Sequence, residues 1–555
     1  MFITFFNQLI KNYINKGVLI SIVTKKSNII FNLGEIYMKN TKILKMIPVL
    51  IFVTTMIASA TATPLLMNNK NLASFDEDIE VTVEIQKIRS LEKFDNHIPA
   101  IEKIDLLTDP DFYVKVFIND VEFTSPIWKN TKYVYEPDWS ATLNVPDEEE
   151  FVDIKIQLWD WNLGIDKLCD ISSIYDEGYK DSFDVELMYS IKTGHWFGDD
   201  YIDFEQINAD PSGYGRLNGC DDGSFYQRER DCELWFDIYQ TDSDGDGIPS
   251  WTEVNVYNTD PEIDNTGEDF DNDGCPIEWE HKWGHYFWYD WHEDEYHHDW
   301  IYDVNSSDNH LELDLDEDGL DNVEEYLTSQ WGSDPYRKDL FVELDVMEDN
   351  PEGEINIFPE GAKELLRTAY NRRNVVFHLD DGCMGGSDIV PFDDATENEE
   401  LQSIYWNYFL HGDVNNWKRG VFHYGLMVYF APPGGHAFWG GVGPYLDSFV
   451  ISTHYFETEK VIPKTEHKRN IVYASAYMHE CGHTLGIFNG NTPGCDDQNS
   501  GYPWMKNFWK WRPYKSVMNY GYMYKMVDYS DGSRGKNDFD DWDRIDLESF
   551  QREWW

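Results

Sequence analysis

The chain has 555 residues, 44 Lys and Arg against 103 Asp and Glu, and a formal net charge of -59 at pH 7. This length predicts several domains, because single hydrophobic cores stop growing at roughly 250–300 residues. The acidic charge argues against nucleic acid as a partner and favours divalent cations. Aromatic residues make up 16% of the chain, which argues against a disordered acidic polymer.

Residues 38–62 have the anatomy of an export signal. Three lysines precede an apolar run from Met46 to Ile57, and small residues follow as far as Ala62. The run is shorter than the roughly 20 residues that a membrane-spanning helix needs, so we expect a secreted or cell-surface protein. Residues 1–37 precede a complete signal and are interpreted as a mis-called N-terminal extension.

The seven cysteines of an exported chain can form disulfides. Cys220 and Cys232 are the expected local pair, because only 11 residues and a Gly-containing turn separate them. The other five cannot be paired from the sequence. The spacing lacks a CxxC repeat, which argues against a cysteine-based zinc site.

Residues 79–240 show the alternating apolar pattern of β-strands and predict a β-sandwich. Two acidic stretches in it resemble calcium loops of the lipid-binding domains of the synaptotagmin and protein kinase C type. The resemblance implies that calcium binds there and that the domain contacts the cell envelope or a membrane surface. The implied ligands are Asp105, Asp111, Asp160, Asn162 and Asp166. The alternative is a sandwich with solvated acidic loops, which are common on acidic surfaces.

Residues 241–336 contain a 12-residue acidic loop three times. Each loop follows the EF-hand ligand pattern, with oxygen-bearing side chains at positions 1, 3, 5 and 12, Gly at position 6 and a main-chain carbonyl at position 7. Tails after two of the loops resemble thrombospondin type-three and dockerin-like repeats, which implies a structural spacer. The predicted calcium ligands are Asp242, Asp244, Asp246, Ile248 and Glu253; Asp269, Asp271, Asp273, Cys275 and Glu280; and Asp314, Asp316, Asp318, Leu320 and Glu325.

Five histidines lie among aromatic residues between positions 281 and 298. Such a cluster binds a metal or a carbohydrate when its imidazoles converge. The irregular spacing favours instead a small aromatic core between the acidic loops.

Residues 338–555 form the third predicted domain. Strands are expected over 339–345, 375–379, 421–429 and 448–453, with a helix over 359–373 and another from about Ile471. This order predicts an α/β or α+β layer. The whole chain is therefore expected to be multidomain, with an N-terminal all-β sandwich, a calcium-loop spacer and a C-terminal α/β domain.

The last of these helices carries His479, Glu480 and His483 in the pattern HExxH. Two His four residues apart lie on one helix face, so both imidazoles can reach one zinc ion, and the adjacent Glu can take a proton from water. The alternative is a surface helix with two solvated His, because HExxH also arises by chance. Gly486 extends the pattern to HExxHxxG and permits a sharp left-handed end to the helix.

Residues 516–520, with the sequence SVMNY, follow further along the chain. Together the two motifs resemble the metzincin zinc peptidases over roughly residues 338–555. The resemblance implies that His479 and His483 bind zinc and that Glu480 is the general base. It also places Met518 below the metal and lets Tyr520 stabilise an oxyanion or approach the metal.

The third zinc ligand of that family falls on Asn489, which is a poor zinc ligand. A carboxylate beyond the next turn, Asp496 or Asp497, is the alternative. We therefore expect a secreted zinc-dependent endopeptidase that acts on protein or peptide substrates and is stabilised by calcium. The rival reading is a calcium-dependent cell-surface adhesion protein with a degenerate peptidase fold.

Overall fold

The computed structural model describes residues 21–25, 28–32, 79–91, 109–146, 149–173, 183–200, 215–221, 230–290, 292, 295–354, 356–431, 434–437, 447–459 and 463–549. The chain forms two compact units, Met1–Ser74 and Phe75–Trp555. In the first, β1 (Ser21–Lys25) and β2 (Asn28–Asn32) pair as an antiparallel hairpin within the stretch interpreted as an extension. The predicted export signal and Asp105 lie outside the described residues.

Two antiparallel sheets form the β-sandwich that the sequence predicts. One contains β4 (Phe112–Ile118), β5 (Val121–Thr124), β8 (Phe151–Asp160), β9 (Lys167–Leu168), β10 (Val185–Ser190) and β11 (His195–Gly198), in the order β11-β10-β8-β4-β5 with β9 beside β8. The other contains β3 (Ile79–Ser90), β6 (Tyr133–Val134), β7 (Trp139–Val145), β12 (Arg216–Asn218) and β13 (Cys232–Gln240), in the order β12-β13-β3-β6 with β7 beside β3. Alternate residues of β8, from Val152 to Leu158, are buried in the core.

The repeat region packs against the sandwich and shares its core. Its short helices are α1 (Ser250–Thr252), α2 (Ile277–Trp283) and α3 (Asn322–Thr328), and β14 (His285–Asp290) pairs with β15 (Glu295–Trp300). Trp279, Trp283 and Tyr302 are buried in the same cluster as the sandwich side chains. A 12-residue loop is too small to bury such rings by itself, so the region is packed into the fold.

A mixed sheet with helices on both faces forms the C-terminal part of the chain. Its strands are β16 (Asp339–Met347), β17 (Val376–Asp380), β18 (Ile389–Val390), β19 (Phe422–Val428), β20 (Gly435–Ala437) and β21 (Ser448–Ser452), and its helices are α4 (Glu360–Asn371), α5 (Asn398–Ile404), α6 (Glu466–Thr484) and α7 (Phe508–Trp511). The order is β17-β16-β19-β21-β20, with β18 beside β16. Only the edge strand β20 runs antiparallel to its neighbour among these described strands. The arrangement is α/β, as expected.

Helix α6 begins at Glu466, earlier than the expected start near Ile471. The side chain of Thr465 accepts a hydrogen bond from the backbone N–H of Lys468 at 3.2 Å and so caps the helix. The apolar pattern does not reveal this first turn, because Glu466 and Arg469 are exposed. From Ile471 to Gly482 the helix is buried against the sheet.

A buried polar network joins the sandwich to α4. The Arg89 guanidinium donates to Glu364 at 2.8 Å, and the Asn371 amide donates to Glu233 at 2.9 Å. Arg89 also lies 3.6 Å from Glu233. Breaking a buried charge pair by removing one partner costs roughly 3–5 kcal/mol, so this network fixes the sandwich against the α/β part of the same unit.

All seven cysteines lie in the described residues as free thiols. The expected pair of Cys220 and Cys232 is therefore wrong for this structure. Cys232 is buried in the sandwich core, whereas the Cys220 thiol lies 3.4 Å from the Asp231 carboxylate. In the described part of the chain, we find no helix with the length and apolar character to cross a bilayer.

Candidate metal centres

Two imidazoles of α6 point one nitrogen each toward a common point. The Nδ1 atoms of His479 and His483 donate to the main-chain carbonyls of Val517 and Ile487, at 2.8 Å and 2.7 Å. A carbonyl only accepts, so these bonds put the proton on Nδ1 and the lone pair on Nε2 of a neutral ring. Such outer contacts are typical of histidines that bind a metal through Nε2.

The Asp496 carboxylate completes this centre. Its Oδ1 lies 3.2 Å from Nε2 of His479, and its Oδ2 lies 3.4 Å from Nε2 of His483. A lone pair that faces a carboxylate oxygen is repelled unless a proton or a metal cation lies between them. Protonating both rings would place two cations side by side, with ring centroids 4.9 Å apart. One metal cation would remove both lone-pair repulsions without placing two protonated rings side by side.

The two imidazoles have very different pKa values. Burial lowers the pKa of His479, but the carboxylates of Asp496 and Glu480 and the Val517 carbonyl together raise it to about 9. Burial and the neighbouring His479 lower the pKa of His483 to about 4. Burial raises and the histidines lower the pKa of Asp496, with a net downward shift. His483 is therefore neutral at pH 7, and its Nε2 lone pair is available.

Backbone geometry brings Asp496 back to the helix. Gly486 has φ +84° and ends α6 in the left-handed region, as predicted. Asp496 itself has φ +54°, and its N–H donates to the Met518 carbonyl at 3.2 Å. This strained conformation turns its carboxylate toward the two imidazoles.

The other two candidates for the third ligand have different roles. The Asn489 amide nitrogen donates to the Cys495 carbonyl at 3.1 Å, so this side chain braces the turn that presents Asp496. The Asp497 carboxylate accepts from the Asn507 amide at 2.6 Å and from the Trp511 indole at 2.7 Å. Of the three candidates, Asp496 is the one whose carboxylate faces both imidazoles.

Glu480 lies beside this centre under the edge strand. It is buried, and burial raises its pKa to about 7. A Cβ at Gly435 of β20 would lie 3.1 Å from Glu480 Oε1 and 2.8 Å from the Val450 carbonyl. A glycine therefore lets β20 pass over the carboxylate, a close approach that the sequence pattern did not reveal.

Met518 and Tyr520 lie below and beside the imidazoles. A Cβ at Gly482 would lie 2.7 Å from the Met518 sulfur, so the absence of a side chain there lets the 516–520 turn pack directly under α6. The Tyr520 ring stacks on His479 with centroids 5.7 Å apart. Burial, followed by the charge of Asp496, raises the pKa of Tyr520, so its hydroxyl stays protonated and can donate a hydrogen bond.

The three acidic loops close in the same way. In each, the N–H of the Gly at position 6 donates to the Asp at position 1, at 3.0, 3.1 and 3.0 Å. These glycines, Gly247, Gly274 and Gly319, have φ of +91°, +114° and +98°, where a side chain would be strained. At position 7 the side chains of Ile248, Cys275 and Leu320 are buried, which leaves the main-chain carbonyl as the expected ligand.

Carboxylate oxygens of these loops are buried without donors. Among the described residues, no hydrogen-bond partner meets either side-chain oxygen of Asp244, Asp271, Glu280 and Glu325, or one oxygen each of Glu253 and Asp316. Burial raises the pKa of Glu253 and Glu280 to about 7 and that of Asp271 to about 6. Burying unpaired carboxylates is costly, so a bound cation would stabilise these loops.

The acidic residues of the sandwich, unlike these buried oxygens of the three loops, have hydrogen-bond donors. Asp111 and Asp160 accept backbone N–H groups at 2.6 Å and 3.1 Å, and Asp166 accepts from the Tyr113 hydroxyl at 3.0 Å. The Asn162 amide donates to Asp160 at 2.8 Å. Donors of the protein itself occupy these carboxylates, so the structure gives this cluster weaker support as a metal site than the three loops.

The histidines between positions 281 and 298 do not all converge. His281 and His285 are buried with His195 of β11, whose ring stacks on that of His285 at 3.4 Å between centroids. His297 instead stacks on Trp288. Sequence reasoning missed His195 and the buried His310, because neither lies in a local pattern with its neighbours in space.

No family model matches the chain, and no curated protein matches it. Solved structures similar to parts of it include a C2 domain (13% identity, 29% of this chain and 98% of that chain, TM-score 0.16). A C2 domain of plant Extended Synaptotagmin 1 is another (11% identity, 30% and 97%, TM-score 0.17). Human GIVD cytosolic phospholipase A2 has 12% identity and a TM-score of 0.17, with 30% of this chain covering 17% of that chain. TM-scores this low support no argument about function, and the sandwich is defined by its own two sheets.

Proposed function

We propose that this protein is an exported zinc endopeptidase in which His479, His483 and Asp496 hold the metal and Glu480 is the general base. The observation that carries the proposal is the convergence of two imidazoles on one carboxylate, with Nε2 of His479 and of His483 3.2 Å and 3.4 Å from the Asp496 oxygens. The export signal predicted at residues 38–62 motivates the secreted location.

The donor set and its dimensions fit zinc. Zinc bonds to nitrogen and oxygen at ~2.0–2.2 Å, so neighbouring tetrahedral ligands lie ~3.3–3.6 Å apart. Three protein ligands leave the fourth position open, as in catalytic zinc sites. Oδ1 of Asp496 is buried, and no described residue meets it with hydrogen-bond geometry. Bound zinc supplies a Lewis acid that polarises a peptide carbonyl and acidifies water.

Glu480 is placed to move the proton. Its pKa, raised to about 7 by burial, suits a group that first accepts a proton from water and then gives it to the departing amine. The protonated Tyr520 hydroxyl, on a ring that stacks on His479, would supply a hydrogen-bond donor for negative charge that develops on the carbonyl oxygen. The likeness of HExxHxxG and SVMNY to metzincin peptidases supports the same assignment.

Metal content tests this proposal directly. We expect Asp496→Ala to lose one zinc equivalent, with a fall in affinity beyond the ~10–100-fold that an outer-shell partner typically costs. Asn489→Ala should keep that zinc, because the Asn489 amide only braces the turn. The measurement is elemental analysis of dialysed proteins. Wild-type protein without zinc would contradict the proposal. It would favour the alternative, a calcium-dependent cell-surface adhesion protein.

We propose that the three acidic loops bind divalent cations and that calcium stabilises the fold. Their support is the set of buried carboxylate oxygens without donors, which a bound cation would satisfy. Loop three connects to the α/β part directly, since Asp318 accepts the N–H of Asp339, the first residue of β16, at 2.7 Å. A cation bound in this loop would therefore also stabilise the start of β16, in the sheet against which α6 packs.

We also propose that the sandwich contacts a lipid surface. Leu163 and Ile165 are 97% and 85% exposed on the loop between Asp160 and Asp166. Burying each such side chain in an apolar phase contributes ~1.5–3 kcal/mol. Leu163→Ser with Ile165→Ser should therefore weaken binding to phospholipid vesicles at least ~10-fold in a sedimentation assay.

Ile389→Ser is the matched control, because Ile389 is 72% exposed on β18 of the α/β part, away from that loop. Equal vesicle binding by the double variant and the wild type would contradict the lipid contact. Loss of binding in the control as well would show that general surface hydrophobicity is responsible.

A further inference from the structure

His310 reaches the second acidic loop from outside its 12 residues. Its side chain is fully buried, with Nε2 3.2 Å from Oδ2 of Asp273 and 3.9 Å from Oε1 of Glu280. Within the described residues, no partner meets Nε2 with hydrogen-bond geometry. Asp273, Glu280 and His310 thus bring two oxygens and one nitrogen within 4.8 Å of one another.

Asp273 Oδ2 accepts the N–H of Asp308 at 2.9 Å, but other carboxylate oxygens of the second loop are without donors. Both side-chain oxygens of Asp271 and of Glu280 are buried and meet no hydrogen-bond partner in the described part of the chain. A donor histidine would be expected to satisfy them if its role were only structural. Instead, Nε2 of His310 and both side-chain oxygens of the neighbouring Glu280 are buried without a hydrogen bond.

Asn322 can hold the imidazole in the orientation that coordination requires. Its side-chain amide lies 2.8 Å from Nδ1 of His310, and its own carbonyl oxygen has no partner among the described residues. Flipping this amide exchanges its oxygen and nitrogen, so that the oxygen accepts Nδ1–H of His310. The lone pair of the neutral ring then lies on Nε2 and is directed at Asp273. Asn322 occupies position 9 of the third loop, so it links the two loops.

We propose that the second loop binds a first-row transition-metal ion through His310 together with carboxylates of Asp271, Asp273 and Glu280. Calcium takes oxygen ligands, whereas imidazole favours ions such as zinc. The regular spacing of the loop pattern in the sequence gives no hint of this difference, because His310 lies outside it. The inference rests on the proposal that the loops bind cations, and it is independent of the peptidase centre.

The test compares metal content after chelation and dialysis against excess calcium with a low concentration of zinc. Wild-type chain should hold about two zinc ions, one at each centre. His310→Gln replaces the nitrogen by an amide oxygen and should lower zinc to about one while calcium rises by about one. His411→Ala, which removes an exposed imidazole, is the matched control and should hold about two.

Asp496→Ala separates this inference from the peptidase proposal, since it should keep the zinc of the second loop. Zinc should then raise the melting temperature of calcium-saturated Asp496→Ala, a readout that does not depend on the folding of His310→Gln. Unchanged zinc content in His310→Gln, or no shift in that melting temperature, would overturn the inference. If His310→Gln loses all zinc and Asp496→Ala keeps the wild-type zinc content, the second-loop inference is supported and the peptidase proposal is contradicted.

Discussion

Replacing Glu480 by Gln is expected to lower kcat for peptide hydrolysis at least ~100-fold, the low end of what a positioned general base contributes. Gln is nearly isosteric with Glu, so α6 and both imidazoles should stay in place. It cannot accept the proton that the carboxylate takes from water. Zinc content should therefore remain that of the wild type while hydrolysis of a peptide library, followed by mass spectrometry, collapses.

Glu466→Gln provides the matched control on the same helix. Glu466 lies exposed in the first turn of α6, far from the buried end that carries the imidazoles. It should retain wild-type activity and zinc content. Full activity in Glu480→Gln would exclude the mechanism, and a loss of zinc in that variant would show that the carboxylate acts on the metal rather than on the proton.

Removal of calcium is expected to lower the melting temperature markedly. At free calcium ~100 times Kd, each occupied loop adds ~2.7 kcal/mol to the free energy of unfolding. Three such contributions are comparable with the ~5–15 kcal/mol that separates typical folded and unfolded domains. Differential scanning calorimetry with and without chelator measures the effect, and identical melting profiles would mean that the loops are only acidic turns.

The same prediction has a pH dependence with a definite sign. Burial raises the pKa of Asp271 to about 6 and those of Glu253 and Glu280 to about 7 in the folded chain without metal. Groups with a raised folded pKa add stability below their unfolded pKa, and that stability is lost as pH rises through the folded pKa. In chelator, the melting temperature should therefore fall between about pH 5 and pH 7.5. Calcium should reverse much of this fall, because it binds the deprotonated form.

Two variants of loop three separate metal binding from general charge. Glu325→Gln removes a buried carboxylate at position 12, whereas Glu317→Gln removes an exposed one within the same loop. The first should weaken the calcium-dependent rise in melting temperature, and the second should leave it intact. Equal effects would indicate that net charge alone controls stability.

Patterns within a few residues of sequence predicted much of the fold. The alternation in β8 predicts a half-buried strand, and the sandwich is confirmed. In the three loops, Gly at position 6 predicts a left-handed turn, and all three glycines have it. Cys220 and Cys232 show the limit of this reasoning, because proximity in sequence says nothing about which way a strand turns each side chain.

The sequence by itself determined that His479 and His483 share one helix face, since helical geometry fixes residues four apart. It likewise determined the ligand spacing of the acidic loops. Only the tertiary structure decided that Asp496 rather than Asn489 faces the imidazoles, and that His310 enters the second loop. These choices depend on how turns and distant segments pack after the helix ends, and such contacts leave no period or fixed spacing in the sequence.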